Sequence, residues 1–336
     1  MQAAIVGLGG LDLTEAERRL FTELPPSGVI LFARNIETPA QVADLMRALD
    51  AVLPPGAARL VDQEGGRVAR LRPPAWPAHP SAATLGALHG HSPAAARRAT
   101  FLTGALLGMD CAETGFTVTT APVLDVVAAD AHDVIGDRAF GSNARVVAEL
   151  GAAMAAGLAA GGIQPMAKHM PGHGRARADS HYELPRLDDV TQADLMPFRV
   201  NSLLPWGMTA HIVYTAQDPA LPATLSASLI RDVIRGEIGF DGVLVSDDLG
   251  MKALSGPLAE RASLAVAAGC DLALHCSGIV AESEVVLRAA GPLSAVASAR
   301  LARAGQYLRG RRQALGRSTL TEERDALLRQ GGAGYG

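Results

Sequence analysis

Between residues 168 and 185 the chain reads KHMPGHGRARADSHYELP, and three of its nine histidines, His169, His173 and His181, fall within thirteen residues there. Four-residue spacing on a helix would make His169 and His173 a metal pair. Pro171 and Gly172 stand between them, however, and break a helical register; the HExxH pattern is also absent. Asp179 and His181 are two apart, and in an extended segment such residues point to the same side. A carboxylate beside an imidazole favours its protonated form and fixes its orientation, which makes an acid/base unit able to work near neutral pH. The competing reading is an exposed loop histidine beside a chance aspartate. The surrounding glycines and prolines describe a long, shaped loop of the kind that carries function.

Other carboxylates stand at the ends of apolar runs. In SDDLGM (246–251), Asp247 follows GVLVS, while Asp248 faces another way and caps or bonds within the loop. In VDQEGGRVARL (61–71), Asp62 ends an apolar run with Arg67 and Arg70 close behind, and Gly65–Gly66 permits a tight turn. A carboxylate acceptor with a guanidinium fork suits a ligand with several hydroxyls, although loop capping and a surface ion pair would use the same residue types. Arg138 lies within IGDRAFGS. Two weaker signals are set aside: VGLGGLD (6–12) lacks the GxGxxG spacing of a dinucleotide site, and HGHSP (89–93) reads as a solvated loop before a helix.

The elements that must position these groups recur regularly. Eight short apolar segments, 3–8, 28–33, 58–62, 116–121, 163–169, 206–213, 242–247 and 271–276, alternate with helical patterns near 14–23, 39–53, 94–113, 144–160, 191–203, 227–238, 257–268 and 280–290. Thr38-Pro39 and Thr191 supply helix starts. Continuous apolar strands alternating with helices indicate a parallel sheet covered on its faces. Eight such units predict a single-domain (β/α)8 barrel over residues 1–336, with a C-terminal helix at about 293–313 packed on it; an open doubly wound sheet is the rival. Barrel sites form at the C-terminal ends of the strands. Asp62, Lys168, His169, His211, Asp247 and His275 all fall at such ends, and charged groups there are costly unless paired or wet.

Composition narrows the class. The 336 residues are 49% hydrophobic, which supplies a core and argues against disorder, and a formal charge of −4 gives no reason to expect nucleic acid or an acidic membrane as partner. No apolar run reaches the roughly 20 residues needed to span a bilayer. The start, MQAAIVGLGG, has neither a basic region nor a cleavage site, and Cys111, Cys270 and Cys276 form no disulfide or metal pattern. A cytoplasmic protein with thiols packed as small apolar groups is expected, and a monomer.

Taken together, GVILFARNIETPAQV (28–42), VDQEGGRVARL, TAPVLDV (120–126), IGDRAFGS, AKHMPGHG with ADSH (167–181), MTAHIVY (208–214), PATLS (222–226) and GFDGVLVSDDLGM (239–251) resemble glycoside hydrolase family 3. Within it they resemble the single-domain bacterial β-N-acetylglucosaminidases of peptidoglycan recycling. The resemblance implies a retaining, two-step hydrolysis of small carbohydrate or muropeptide substrates in a barrel, with no metal or organic cofactor. It implies that Asp247 is the nucleophile, that His181 with Asp179 is the acid/base, and that Asp62, Arg70, Arg138, Lys168 and His169 contact the terminal N-acetylglucosamine. A histidine acid/base departs from the usual pair of carboxylates about 5 Å apart. Met170 stands where phenylalanine is usual, Gly250 where serine is common, and RARA (175–178) adds two positive charges beside the loop. The alternatives are another family 3 β-glycosidase specificity, a metal-dependent amidohydrolase barrel using His169, His173, His211 and Asp247, and an inactive sugar-binding barrel.

Overall fold

The computed structural model describes residues 1–178, 183–314 and 316–330. Eight parallel strands close into a barrel: Gln2–Gly7, Pro26–Leu31, Ala58–Val61, Val118–Thr119, Gln164–Met170, Trp206–Thr209, Val243–Asp248 and Leu272–His275. Each pairs with its neighbour in sequence, and the first closes on the eighth through Ala4–Ala273, Ile5–Leu274 and Val6–His275. Each of the eight apolar segments read from the sequence contributes one barrel strand. The open doubly wound sheet is thereby excluded.

Strand alternation divides the core in two, because successive side chains point to opposite faces. Ile5, Ile30, Leu60, Val118, Met166, Trp206, Val243 and Leu272, one from each strand, fill the barrel interior. Ala4, Val29, Val61, Ala167 and Leu244 face outward into the helical layer. Trp206 sits in the interior with its Nε1–H on Gln164 Oε1 at 2.8 Å, which satisfies the one polar atom its ring brings. This packed plug forces any ligand to the open, C-terminal end.

The helices start where their signals stand. Thr38 caps Pro39–Asp50 through Gln41 N, and Thr191 caps Gln192–Val200 in a box closed by Asp194. Ala144–Gly161 has the length and apolar composition of a membrane span, but it is largely buried in the core. It lies tightly along Pro93–Thr114: a Cβ on Gly157 would sit 2.1 Å from the Phe101 carbonyl oxygen.

Three features differ from the sequence reading. HGHSP is not a solvated loop; His89 and His91 are the last turn of a helix, Ala82–His91, and Ser92 caps the next. The sixth segment is split: Trp206–Thr209 stays in the barrel, while Val213–Tyr214 leaves it to pair with Arg186–Leu187. His211 therefore lies between two strands. The expected helix at 293–313 ends at Gln306, and a further helix, Arg317–Gln330, follows and packs Leu320 against Leu102 and Leu106.

Candidate active site

A cavity of about 620 Å³ opens at the C-terminal end of the barrel, and Asp62, Arg70, Arg138, Lys168, His169 and Asp247 all line it. The third, fifth and seventh strands and the loop after the fourth thus bring six of the eight residues singled out by sequence into one hollow. Its size is in the ordinary range for small-ligand sites.

One wall is a cluster of alternating charge. Arg138 donates from Nε and Nη2 to the two oxygens of Glu64, both at 2.9 Å. Lys168 Nζ reaches Glu64 Oε1 at 2.5 Å and donates to Thr120 Oγ1 at 2.8 Å. The Thr120 hydroxyl in turn donates to Asp62 Oδ1, and Arg70 Nη2 donates to Asp62 Oδ2 at 3.1 Å. Burial alone would raise the Glu64 carboxyl; the Arg138 and Lys168 charges outweigh it and hold it at about 2. Asp62 is also lowered, burial being overcome by Lys168 and Arg70. The backbone beneath is pinned by Gln63, whose Oε1 accepts the amides of Arg70 and Leu71 at 2.7 and 3.0 Å. Fixed donors and acceptors of this kind suit a ring of hydroxyl groups.

The facing wall is imidazole and carboxylate. His169 Nδ1 lies 2.7 Å from Asp125 Oδ2, and Asp125 Oδ1 accepts the His173 amide at 2.7 Å. Burial opposes ionisation of Asp125, but the neighbouring histidines keep it lowered, so the carboxylate takes the Nδ1–H and leaves His169 Nε2 for the cavity. The His173 ring stands edge-on to His169 with centroids 5.6 Å apart, and burial together with His169 pushes its pKa down to about 4. Asp247 is half-buried. Its Oδ1 accepts the Asp248 amide at 2.8 Å, which fixes the carboxylate plane and leaves the second oxygen available. Burial would raise its pKa, but His211, His169, that amide and Lys168 lower it overall, so it is an anion at neutral pH.

The Glycosyl hydrolase family 3 N terminal domain model matches residues 5–305. The chain belongs to glycoside hydrolase family 3. A β-hexosaminidase of Alkalilimnicola ehrlichii is 42% identical over 281 residues, 81% of this chain and 80% of that protein. One of Nitrosomonas eutropha is 37% identical over 314 residues, 91% of this chain and 88% of that protein. Among solved structures, NagZ from Neisseria gonorrhoeae in complex with N-trifluoroacetyl-D-glucosamine superposes with a TM-score of 0.83 at 30% identity, covering 98% of this chain and 97% of that one. This family 3 chain is a glycoside hydrolase of the β-hexosaminidase kind.

Within this family 3 site, several sequence expectations take a definite form. Asp179 and His181 lie outside the described residues. Asp248 also lines the cavity, but its Oδ1 is bound within the loop, accepting the amides of Gly250 at 2.9 Å and Cys276 at 3.0 Å. The RARA arginines do not offer free charge to a substrate: Arg175 is paired with Asp194 at 2.9 Å, and Arg177 with Asp130 at 2.5 Å. Cys111 and Cys270 are buried as expected, but Cys276 is partly exposed and lines the cavity. Among the described residues no group of three or more His, Cys, Asp or Glu side chains could hold a metal ion. His211, wanted by the amidohydrolase reading, has Nδ1 on Thr224 Oγ1 at 2.7 Å and Nε2 on the Asp248 carbonyl at 3.0 Å, so both its nitrogens are taken.

Sequence reasoning missed Glu64, Asp125 and the role of Arg67. Arg67 Nε bonds Asp137 Oδ1 at 2.6 Å, and Nη2 bonds the Asp133 and Val134 carbonyls at 2.7 and 3.1 Å. It straps the loop carrying Arg138 to the loop carrying Glu64. Asp125 was legible in principle, as a carboxylate between apolar residues in PVLDVV, where only a buried partner would make it tolerable.

Proposed function

We propose that this family 3 hydrolase is a retaining exo-β-N-acetylglucosaminidase that removes terminal β-linked N-acetylglucosamine from anhydromuropeptides during cell-wall recycling in the cytoplasm. The observation that carries the reading is the pairing of an ionised, oriented Asp247 with a hydroxyl-binding wall of Asp62, Arg138 and Lys168 across one cavity, the two cations held from behind by Glu64. An N-acetylglucosamine derivative bound to the Neisseria gonorrhoeae relative supports the sugar.

The chemistry follows from the residues in place. In the first step the free oxygen of Asp247 attacks the anomeric carbon, the bond to the leaving oxygen breaks, and that oxygen takes a proton. We assign the proton to His181, oriented by Asp179, on the strength of the D-S-H motif after the fifth strand. In the second step His181 takes a proton from water, whose oxygen attacks the same carbon and releases Asp247. The enzyme works as a monomer without a metal or organic cofactor. The test is to trap the intermediate with a fluorinated, mechanism-based N-acetylglucosaminide and map the labelled peptide. A label on Asp247 is expected; a label on another residue, or steady turnover with no covalent species, would sink the reading.

A further inference from the structure

Three polar side chains beside Asp247 are sealed from water, and none of them lines the cavity: Thr209, His211 and Thr224, each 0% exposed. Thr209 ends the sixth strand, and His211 follows two residues later in MTAHIVY. Thr224 lies in PATLS, where a short helical turn, Ala223–Leu225, is docked by the Ala223 amide on the Ile212 carbonyl at 2.8 Å. Buried hydroxyls and imidazoles are costly unless their polar atoms are paired. Their hydrogens can therefore be placed one by one.

The Asp248 carbonyl, 3.0 Å from His211 Nε2, can only accept, so that nitrogen carries a proton. Burial, helped by His169, keeps His211 below the ordinary histidine range against the pull of Asp247 and Asp248. The ring is then neutral at neutral pH, and Nδ1 is an acceptor. The Thr224 hydroxyl, 2.7 Å away, donates its single proton there. It accepts in turn from Thr209 Oγ1 at 2.8 Å, and Thr209 accepts the Asp247 amide at 3.3 Å. The bonds run in one direction, out from the amide of Asp247 and back to the carbonyl of Asp248. Between them the Asp248 amide donates to Asp247 Oδ1 at 2.8 Å. We propose that Thr209, Thr224 and His211 are positioning residues for the nucleophile: their closed circuit holds residues 247 and 248 from both ends and so aims the free carboxylate oxygen at the anomeric carbon. The proposal rests on the reading of Asp247 as the nucleophile and adds what orients it.

The test is the rate at which the fluorinated, mechanism-based N-acetylglucosaminide labels the enzyme, because labelling is the attack by Asp247 itself. Thr224→Val keeps the shape of the side chain and removes the central link. Labelling, and kcat/KM for β-N-acetylglucosaminides, should slow by about tenfold or more, since a small misplacement of a reacting group costs that much. The factor should be the same for good and poor leaving groups, and the inhibition constant of N-acetylglucosamine should stay within about twofold, because ground-state binding is untouched. Thr224→Ser should recover most of the rate. Normal labelling of the unaltered enzyme on Asp247 with an unslowed Thr224→Val variant would overturn this inference alone, as would a variant whose rate and N-acetylglucosamine binding fall together. A label that misses Asp247 in the unaltered enzyme would overturn the nucleophile reading and this inference with it. Nitrogen NMR of the unaltered enzyme gives a check that does not depend on the variant folding: His211 should be neutral at neutral pH with its proton on Nε2, and a proton on Nδ1 would break the circuit.

Discussion

Glu64 and Arg138 face each other through two N–H···O contacts of 2.9 Å, and Lys168 closes on the same carboxylate at 2.5 Å. The three side chains are only 5, 12 and 4% exposed. Asp62 adds a second anion 3.7 Å from Lys168, and it is shared with Arg70 at 3.1 Å, so three cations alternate with two anions. The wall is therefore held in one arrangement before any sugar arrives, and binding does not have to order it.

Removing the central anion tests this. Glu64→Gln leaves Arg138 and Lys168 facing one another without their shared partner, the situation in which breaking a buried pair costs about 3–5 kcal/mol. Denaturant unfolding should show a loss of that order, and KM for a β-N-acetylglucosaminide should rise. A variant of unchanged stability and KM would mean that the cluster contributes nothing net.

Acid stability should fall in two separate windows. His173 is held at about 4, below the usual histidine value of about 6.5, so the unfolded chain takes up that proton first. Its effect is absent above pH ~6.5 and destabilises progressively as pH falls toward about 4. Glu64, held at about 2, contributes stability that is present above its ordinary range and is lost as pH falls from ~4.5 toward 2. Unfolding free energies against pH should show a shallower upper slope in His173→Gln and a shallower lower slope in Glu64→Gln, the remainder belonging to His211 and to Asp62, Asp125 and Asp247. The opposite assignment, or one common slope, would contradict these environments.

Much of this was legible in the sequence because the signals were local. Each strand is a short apolar run bounded by turn residues, and each polar residue at a strand end has one place to go in a barrel. What escaped was set by contacts distant in sequence. Glu64 becomes important only when Arg138, seventy-four residues on, folds over it. Arg175 looks free in sequence but is claimed by Asp194, whose capping-box role already buries it. The last helix was missed because RSTLTEERDALLRQ offers few apolar positions, and its burial depends on the surface of Pro93–Thr114.

The catalytic assignments predict a graded series. Asp247→Ala should lower kcat/KM by about four orders of magnitude or more, because it removes the attacking carboxylate itself. His181→Ala should lose about a hundredfold or more on substrates with poor leaving groups and far less on nitrophenyl glycosides, which need no proton. Asp179→Ala should cost less than His181→Ala, since it removes orientation and leaves the proton carrier. Equal loss for His181→Ala across leaving groups of very different pKa would remove it from the acid role.

The helix beyond the family-matched span also bears on the site. Arg324 Nη1 lies 3.1 Å from His79 Nδ1, and His79 Nε2 lies 2.7 Å from Asp110 Oδ2. An arginine only donates, so Nδ1 must accept and the ring proton must sit on Nε2, facing Asp110. The His79 carbonyl accepts the Gly66 amide at 3.0 Å, and a Cβ on Gly65 would come within 2.5 Å of the Pro80 carbonyl oxygen. The turn between Glu64 and Arg70 is thus seated on a segment whose histidine is clamped by the last helix, which makes Arg324 a positioning residue. Arg324→Met should raise KM about tenfold with a smaller change in kcat, and Arg324→Lys should recover part of the loss. Measured well below the melting temperature of a variant with native circular dichroism, an unchanged KM would reduce Arg324 to holding the helix in place.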